Sequence, residues 1–133
     1  CSYRRASGLP SLALMDIEEL WNRALEEHNS GDHHEAHEIF EDLWLELDNR
    51  QEKDIVQTLA QADALAVHIE SGNMQAAQRL MRQLPELIQT LPLEYRETSL
   101  IEIKRWIETM IATIPLAGEP VEISSNKNPP KLV

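Results

Sequence analysis

The sequence predicts an all-α protein, a compact bundle of about five helices, from its composition and its periodicity. Hydrophobic residues make up 42% of the 133 residues, whereas the chain has only 4 glycines and 5% aromatic residues, a mixture more typical of helices than of sheets. Apolar residues recur at helical spacing along most of the chain, and no segment alternates as a half-buried strand does. A chain of this length forms one domain that can bury a substantial core.

The first two predicted helices begin with the same cap signature. Asp16 and Asp32 are each followed three residues later by a glutamate, which is the spacing of a capping box. We therefore expect helices over about 16–29 and 32–48. One face of the second helix is expected to be apolar and to hold His33, Ala36, Phe40, Leu43, Trp44 and Leu47.

Three further helices are expected over 52–70, 74–91 and 94–114. The third helix has little that is bulky on its apolar side, which favours a central position in the bundle. Pro85 removes one backbone donor and should kink or split the fourth helix. Residues 16–114 are therefore the predicted bundle domain.

The two ends of the chain lack the pattern of a core element. Residues 1–15 form a predicted flexible lead, typical either of the remnant of an organelle-targeting segment or of a non-native extension. Residues 115–133 turn to proline, serine, asparagine and lysine, which predicts a flexible tail without a core to join.

Charge and cysteine content narrow the function classes. The net charge of −11, from 12 basic and 23 acidic side chains, repels phosphate backbones and anionic lipids, so we expect neither nucleic-acid nor membrane binding. No apolar run approaches the roughly 20 residues that span a bilayer. Cys1 is the single cysteine and cannot form an internal disulfide, which argues against a secreted, cross-linked scaffold.

The second helix carries the candidate chemistry. With 100° per residue, His34, His37 and Glu41 form a stripe along one flank of the apolar face, whereas Glu38 points further toward solvent. Helical bundles build metal sites from histidine and glutamate at such spacings. The alternative is a structural histidine hydrogen-bonded to a neighbouring carboxylate.

Asp63 is unusual because it lies on the apolar side of the third helix. An unpartnered buried carboxylate costs several kcal/mol, so Asp63 should have a partner or a raised pKa. The candidate partners are His37, Lys104 and Arg105. A cluster of His37, Glu41 and Asp63 would be a cation or acid–base site. The alternatives are a structural ion pair, or a kink in the third helix that leaves Asp63 exposed to solvent.

The stretch His37-Glu38-Ile39-Phe40-Glu41-Asp42-Leu43-Trp44 resembles the His-Glu-x-x-Glu-x-x-Trp hallmark of an uncharacterised family, domain of unknown function 309. The resemblance covers roughly residues 17–90. Matches to its wider pattern are Asn29, Gly31, Ala36, Gln57, Gln61, Ala62, His68, Gly72, Asn73, Ala77 and Leu80. The chain departs from the family where Thr58 replaces a glycine, Asp63 a small apolar residue and His34 an aromatic residue.

The resemblance implies a compact helical bundle of bacteria and plastids, and it implies no activity. Its motif makes His37, Glu38, Glu41 and Trp44 the candidate site. The candidate supporting residues are Asp63, Gln57, Gln61 and His68.

The expected function is a protein-binding or scaffold module, because the bundle is well specified and no complete catalytic set is visible. The alternative is a metal-binding protein or metal-dependent hydrolase in which His34, His37 and Glu41 hold a divalent metal ion. No cofactor is required by the pattern, and the missing catalytic set favours a non-enzymatic role. The expected location is the cytoplasm or the plastid stroma. No substrate, partner identity or oligomeric state follows from the sequence.

Overall fold

A computed structural model of the protein describes residues 16–114 and 129–132. In chain order their elements are α1 (Ile17–Asn29), α2 (His33–Glu46), α3 (Arg50–Ser71), α4 (Met74–Leu80), α5 (Leu84–Gln89), β1 (Glu94–Tyr95), β2 (Thr98–Ser99) and α6 (Ile101–Thr113). The predicted all-α class is confirmed, with one helix more than expected and a two-stranded hairpin before α6. No helix within these described ranges is long and apolar enough to cross a membrane.

Local capping explains where the first three helices begin. The Asp16 carboxylate accepts from the backbone N–H of Glu19 at 2.8 Å, and the Glu19 carboxylate accepts from that of Asp16 at 3.4 Å, a complete capping box. The side chains of Asp32 and Asn49 cap α2 and α3 by accepting from the backbone N–H three residues further along. Helix α3 ends at Gly72, whose φ of 79° lies in the left-handed region that favours glycine.

The core lies where α2 packs against both α1 and α3, and these are the most extensive helix contacts. Trp21 and Phe40 meet there with ring centroids 6.1 Å apart, and both side chains are buried. Small residues on α3, among them Ala62 and Ala66, are buried as well. Helix α4 packs on α3, and α5 packs on α3 and α6.

The predicted fourth helix is interrupted, as the proline indicated. It divides into α4 and α5 around the turn at residues 81–83, and Pro85 stands in the first turn of α5. The first turn of a helix has no intrahelical acceptor for its N–H groups, so the missing donor of proline costs nothing there.

The predicted start of the last helix was wrong. Residues 94–99 form a hairpin in which Glu94 pairs with Ser99 and Tyr95 with Thr98, and α6 begins only at Ile101. Tertiary contacts outweigh the local helical pattern here, because the Tyr95 ring packs edge-on against Trp21 with centroids 5.1 Å apart. Two-residue hairpin turns take positive φ angles, which Arg96 and Glu97 adopt at 49° and 65°.

Residues 129–132 of the predicted tail are described, and Pro130 and Leu132 form hydrogen bonds with the bundle. Leu132 is 2% exposed and belongs to the hydrophobic core, and Pro129 is also buried. At these positions the structure therefore differs from the expectation of a tail without a core to join, because two apolar side chains find buried space beside α1. The predicted lead over residues 1–15 and the remainder of the predicted tail lie outside the described residues.

Candidate functional site

Six of the nine residues singled out from the sequence line one cavity of about 400 Å³ between α2 and α3. Three of the six lie on α2 and three on α3, and the helical spacing on each helix turns its three side chains toward the other helix. The six are His37, Glu41, Trp44, Gln57, Gln61 and His68, and the apolar lining comes from Ala60, Ala64 and Leu80. The three candidates outside this lining are His34, Glu38 and Asp63.

His37 is held in a defined orientation at the edge of this cavity. Its Nδ1 atom lies 2.8 Å from the backbone carbonyl oxygen of Ala60, so Nδ1 carries a proton and donates it. Its Nε2 atom then faces the Glu41 carboxylate, with Nε2 and Oε2 3.5 Å apart. The two groups attract each other only when Nε2 carries a proton or binds a cation, because two acceptors repel each other.

Glu38 is less exposed than the angular analysis predicted. Its Oε2 atom is buried and has no hydrogen-bond partner among the described residues. Glu38, His37 and Glu41 each offer one donor atom, and these atoms lie within 4.8 Å of one another. The expectation that Glu38 points toward solvent was wrong. Its Cβ leaves the helix on the outer side, but the long side chain can bend back against the helix surface.

His34 lies apart from this donor group. It lines a neighbouring cavity of about 210 Å³ that also contacts His37, Ala64, Val67 and His68. His34 itself is exposed. Of the three predicted ligands, His37 and Glu41 lie close together with Glu38, whereas His34 is outside this group.

His68 and Trp44 supply different chemistry to the cavity. Burial, followed by the electrostatic influence of Arg79 and His37, lowers the pKa of His68 below its usual 6.5, which favours the neutral ring at pH 7. The indole Nε1 of Trp44 is buried without a hydrogen-bond partner among the described residues. The Lys53 ammonium lies 3.9 Å from the Trp44 ring centroid and donates to the Trp44 carbonyl at 2.8 Å.

Asp63 lies in a second cluster, and its predicted partners were wrong. Its Oδ1 atom accepts from Nδ1 of His28 at 2.7 Å and from Nδ1 of His33 at 2.8 Å, rather than from His37, Lys104 or Arg105. All three residues are buried, with Asp63 fully enclosed. The two imidazole rings meet edge to face, with centroids 5.2 Å apart. The expectation that Asp63 needs a partner is met by residues from two other helices.

His28 carries a positive charge in this cluster. Nδ1 donates to Asp63, and Nε2 donates to the backbone carbonyl of Pro130 at 2.8 Å, so both ring nitrogens require a proton. Burial, the largest single influence, lowers the pKa of His28, but the hydrogen bond and charge of Asp63 together with the Pro130 carbonyl raise it above 6.5. The result is a buried ion pair.

The sequence argument missed His28, although a signal was present. Leu20, Ala24 and His28 follow one another at four-residue spacing, which places the histidine on the buried face of α1. The last turn of a helix also favours a positively charged imidazole.

The fold and the cavity define an acidic helical-bundle domain with a histidine- and glutamate-lined cavity between two core helices. Residues 18–80 match the family described as Domain of unknown function (DUF309), which confirms the resemblance indicated by the His-Glu-x-x-Glu-x-x-Trp motif. An uncharacterized protein of Aquifex aeolicus (strain VF5) is 31% identical over 99 residues, which cover 74% of this chain and 29% of that relative. The chain thus matches less than a third of the length of this relative. No solved structure matches the chain.

Proposed function

We propose that this domain binds a divalent metal ion through His37, Glu38 and Glu41, beside the cavity between α2 and α3. The separation of 3.5 Å between Nε2 of His37 and Oε2 of Glu41 carries the proposal. Ligand atoms on a tetrahedral zinc ion, each about 2.0–2.1 Å from the metal, lie about 3.3 Å apart. The histidine–carboxylate distances in the buried Asp63 cluster are 2.7 and 2.8 Å, which suit hydrogen bonds instead.

The orientation of His37 supports the same proposal. Histidine ligands commonly donate their other ring N–H to a backbone carbonyl, which fixes the tautomer and aims the remaining lone pair at the metal. The Ala60 carbonyl takes this part for His37. The Oε2 atom of Glu38 is buried without a hydrogen-bond partner among the described residues, which costs free energy. A metal ion would give this oxygen a partner.

The charge and size of the cavity fit a cation with space beside it. None of the nine residues lining the cavity is a lysine or arginine, whereas Glu41 contributes a carboxylate. A volume of about 400 Å³ lies in the range of small-molecule sites, so the cavity has room for a small ligand beside the ion.

Calorimetric titration of the untagged protein with zinc and manganese tests the proposal. We expect one ion per chain and an affinity that falls roughly tenfold or more in His37→Ala and in Glu41→Gln. His34→Ala is the matched control, because it removes an exposed histidine from the same helix without touching the donor group. Binding that is lost equally in His34→Ala, or retained in His37→Ala, would contradict the proposed ligands.

A metal-dependent hydrolase is the second candidate, and the neutral His68 in the same cavity favours it. A neutral imidazole can accept a proton from an attacking nucleophile, provided that its pKa lies near or below the working pH. Turnover of p-nitrophenyl acetate or phosphate by the zinc-loaded protein tests this candidate. We expect His68→Gln to retain metal affinity and to lose turnover, and equal turnover in the wild type and His37→Ala would contradict it.

The protein-binding or scaffold role stays a prediction beside these proposals. The large hydrophobic side chains that are exposed within the described residues are Leu45, Leu93 and Ile101. A metal site in the cavity is compatible with such a role, because none of these three side chains lines the cavity.

A further inference from the structure

A short extended segment, Pro129–Leu132, lies against the C-terminal end of α1. Asn29 contacts it twice, since its Nδ2 donates to the Leu132 carbonyl at 2.8 Å and its Oδ1 accepts from the Leu132 N–H at 2.7 Å. His28 adds a third hydrogen bond, from Nε2 to the Pro130 carbonyl. The bundle therefore binds the backbone of this segment through two neighbouring side chains.

The side chains of the segment add a pattern to this backbone recognition. Pro129 and Leu132 are buried, Pro130 is half-buried and Lys131 is exposed. The donor and acceptor of the Asn29 side chain bind the backbone of Leu132 as a neighbouring strand does in a β-sheet. This pair can bind any residue that has a free backbone N–H. Apolar burial at the first and fourth positions then selects the sequence. The two prolines already favour an extended backbone, which reduces the entropy lost on docking.

The bundle orients His28 through contacts that do not involve the segment. His28 is oriented by Asp63 from α3, and His33 from α2 donates to the same carboxylate oxygen. These two residues are the titratable groups that contact His28 from the helices packed around it, within the described part of the chain. The His28 N–H therefore points outward as a fixed donor, held by a buried ion pair.

We propose that His28 and Asn29 form a peptide-docking site for extended segments of the pattern Pro-Pro-x-Leu, occupied in this structure by the chain's own residues 129–132. A segment of another protein with this pattern would bind in the same way once the chain's own segment leaves. The site is separate from the metal site, and the two proposals stand or fall independently.

Fluorescence anisotropy with a labelled peptide of sequence Asn-Pro-Pro-Lys-Leu-Val tests the proposal on the full chain. Leu132→Asp should release the chain's own segment, so this variant should bind the peptide about tenfold or more tightly than the wild type does. Adding Asn29→Ala to this variant should weaken peptide binding about tenfold through the loss of both hydrogen bonds. A peptide with aspartate in place of leucine is the control. Absence of saturable binding to Leu132→Asp, or binding that Asn29→Ala leaves unchanged, would overturn the proposal.

Hydrogen exchange on the wild-type chain provides a second measurement that does not depend on a variant. The Leu132 amide donates to Asn29 and should be protected from exchange in the free protein. Excess unlabelled peptide should displace the segment and speed the exchange of this amide, while amides inside α2 remain protected. An unprotected Leu132 amide, or protection that excess peptide does not change, would also overturn the proposal.

Discussion

Nδ1 of His28 donates to Oδ1 of Asp63 across 2.7 Å, and the two residues are 3% and 0% exposed. They are 35 positions apart in the chain and lie on different helices. A buried charge pair of this kind links the end of α1 to the middle of α3. Its energetic consequences can be measured separately from those of the cavity, because neither His28 nor Asp63 lines it.

Asp63→Asn should reduce the free energy of unfolding by about 3 kcal/mol, because removing one charge of a buried pair strands the other. Urea unfolding followed by circular dichroism measures this loss. The matched control is Asp54→Asn on the same helix. Asp54 pairs with an arginine at 3.4 Å on the surface, and a surface pair contributes less than about 1 kcal/mol. Equal losses in the two variants would argue against a charged His28.

The protonation of His28 should make stability fall as pH rises above neutrality. A histidine whose folded pKa is raised contributes stability that is fully present below the unfolded value of about 6.5 and is lost as pH rises through the folded pKa. NMR titration of the histidine ring protons should therefore place the His28 pKa above 6.5. His68 is the internal control, because its pKa is lowered and its midpoint should lie below 6.5 in the same spectra. A His28 midpoint at or below that of His68 would refute the assignment.

Tyr95→Phe should reduce the free energy of unfolding by about 2 kcal/mol, since it removes two hydrogen bonds to partly exposed charged groups. The Tyr95 hydroxyl donates to Oε1 of Glu52 at 2.7 Å and accepts from Nε of Arg96 at 3.0 Å. The ring contact with Trp21 is preserved in the variant, so the change isolates the hydroxyl. In a double-mutant cycle with Glu52→Gln the two losses should not add. Additive losses would show that the two side chains act independently.

Glu97→Gly should be neutral or stabilising by up to about 1 kcal/mol, because a non-glycine residue is strained at positive φ and glycine is not. The φ of Glu97 is 65°. Glu94→Gly is the control, since it places the same substitution in β1, where glycine weakens a strand. Thermal unfolding should give a higher melting temperature for Glu97→Gly than for Glu94→Gly. The reverse order would contradict the turn geometry.

The local rules of helix formation were sufficient for much of the fold. Asp16 and Asp32 cap the helices that they were expected to cap, because a side-chain cap is a contact within four residues. Pro85 marked the interruption between α4 and α5 for a similarly local reason. The hairpin at Tyr95 escaped prediction, because its stability depends on Trp21 and Glu52, more than forty positions away.

The residues that line the cavity could be predicted from the sequence to a similar extent. Residues His37, Glu41 and Trp44 share one face of α2, and Gln57, Gln61 and His68 share one face of α3, as helical periodicity requires. Periodicity places a side chain on a face and leaves its terminal atoms undetermined. The atomic positions therefore place Glu38 in the donor group and His34 outside it.

By itself the sequence determined the helical class and most helix boundaries, because these depend on contacts within a few residues, where spacing and capping are decisive. Its motif also determined the family resemblance. Only the tertiary structure decided that Asp63 pairs with His28 and His33, and that Leu132 docks beside Asn29. Those contacts join residues 30 to 103 positions apart, and they form because the packed helices enclose charge and apolar surface that must find partners.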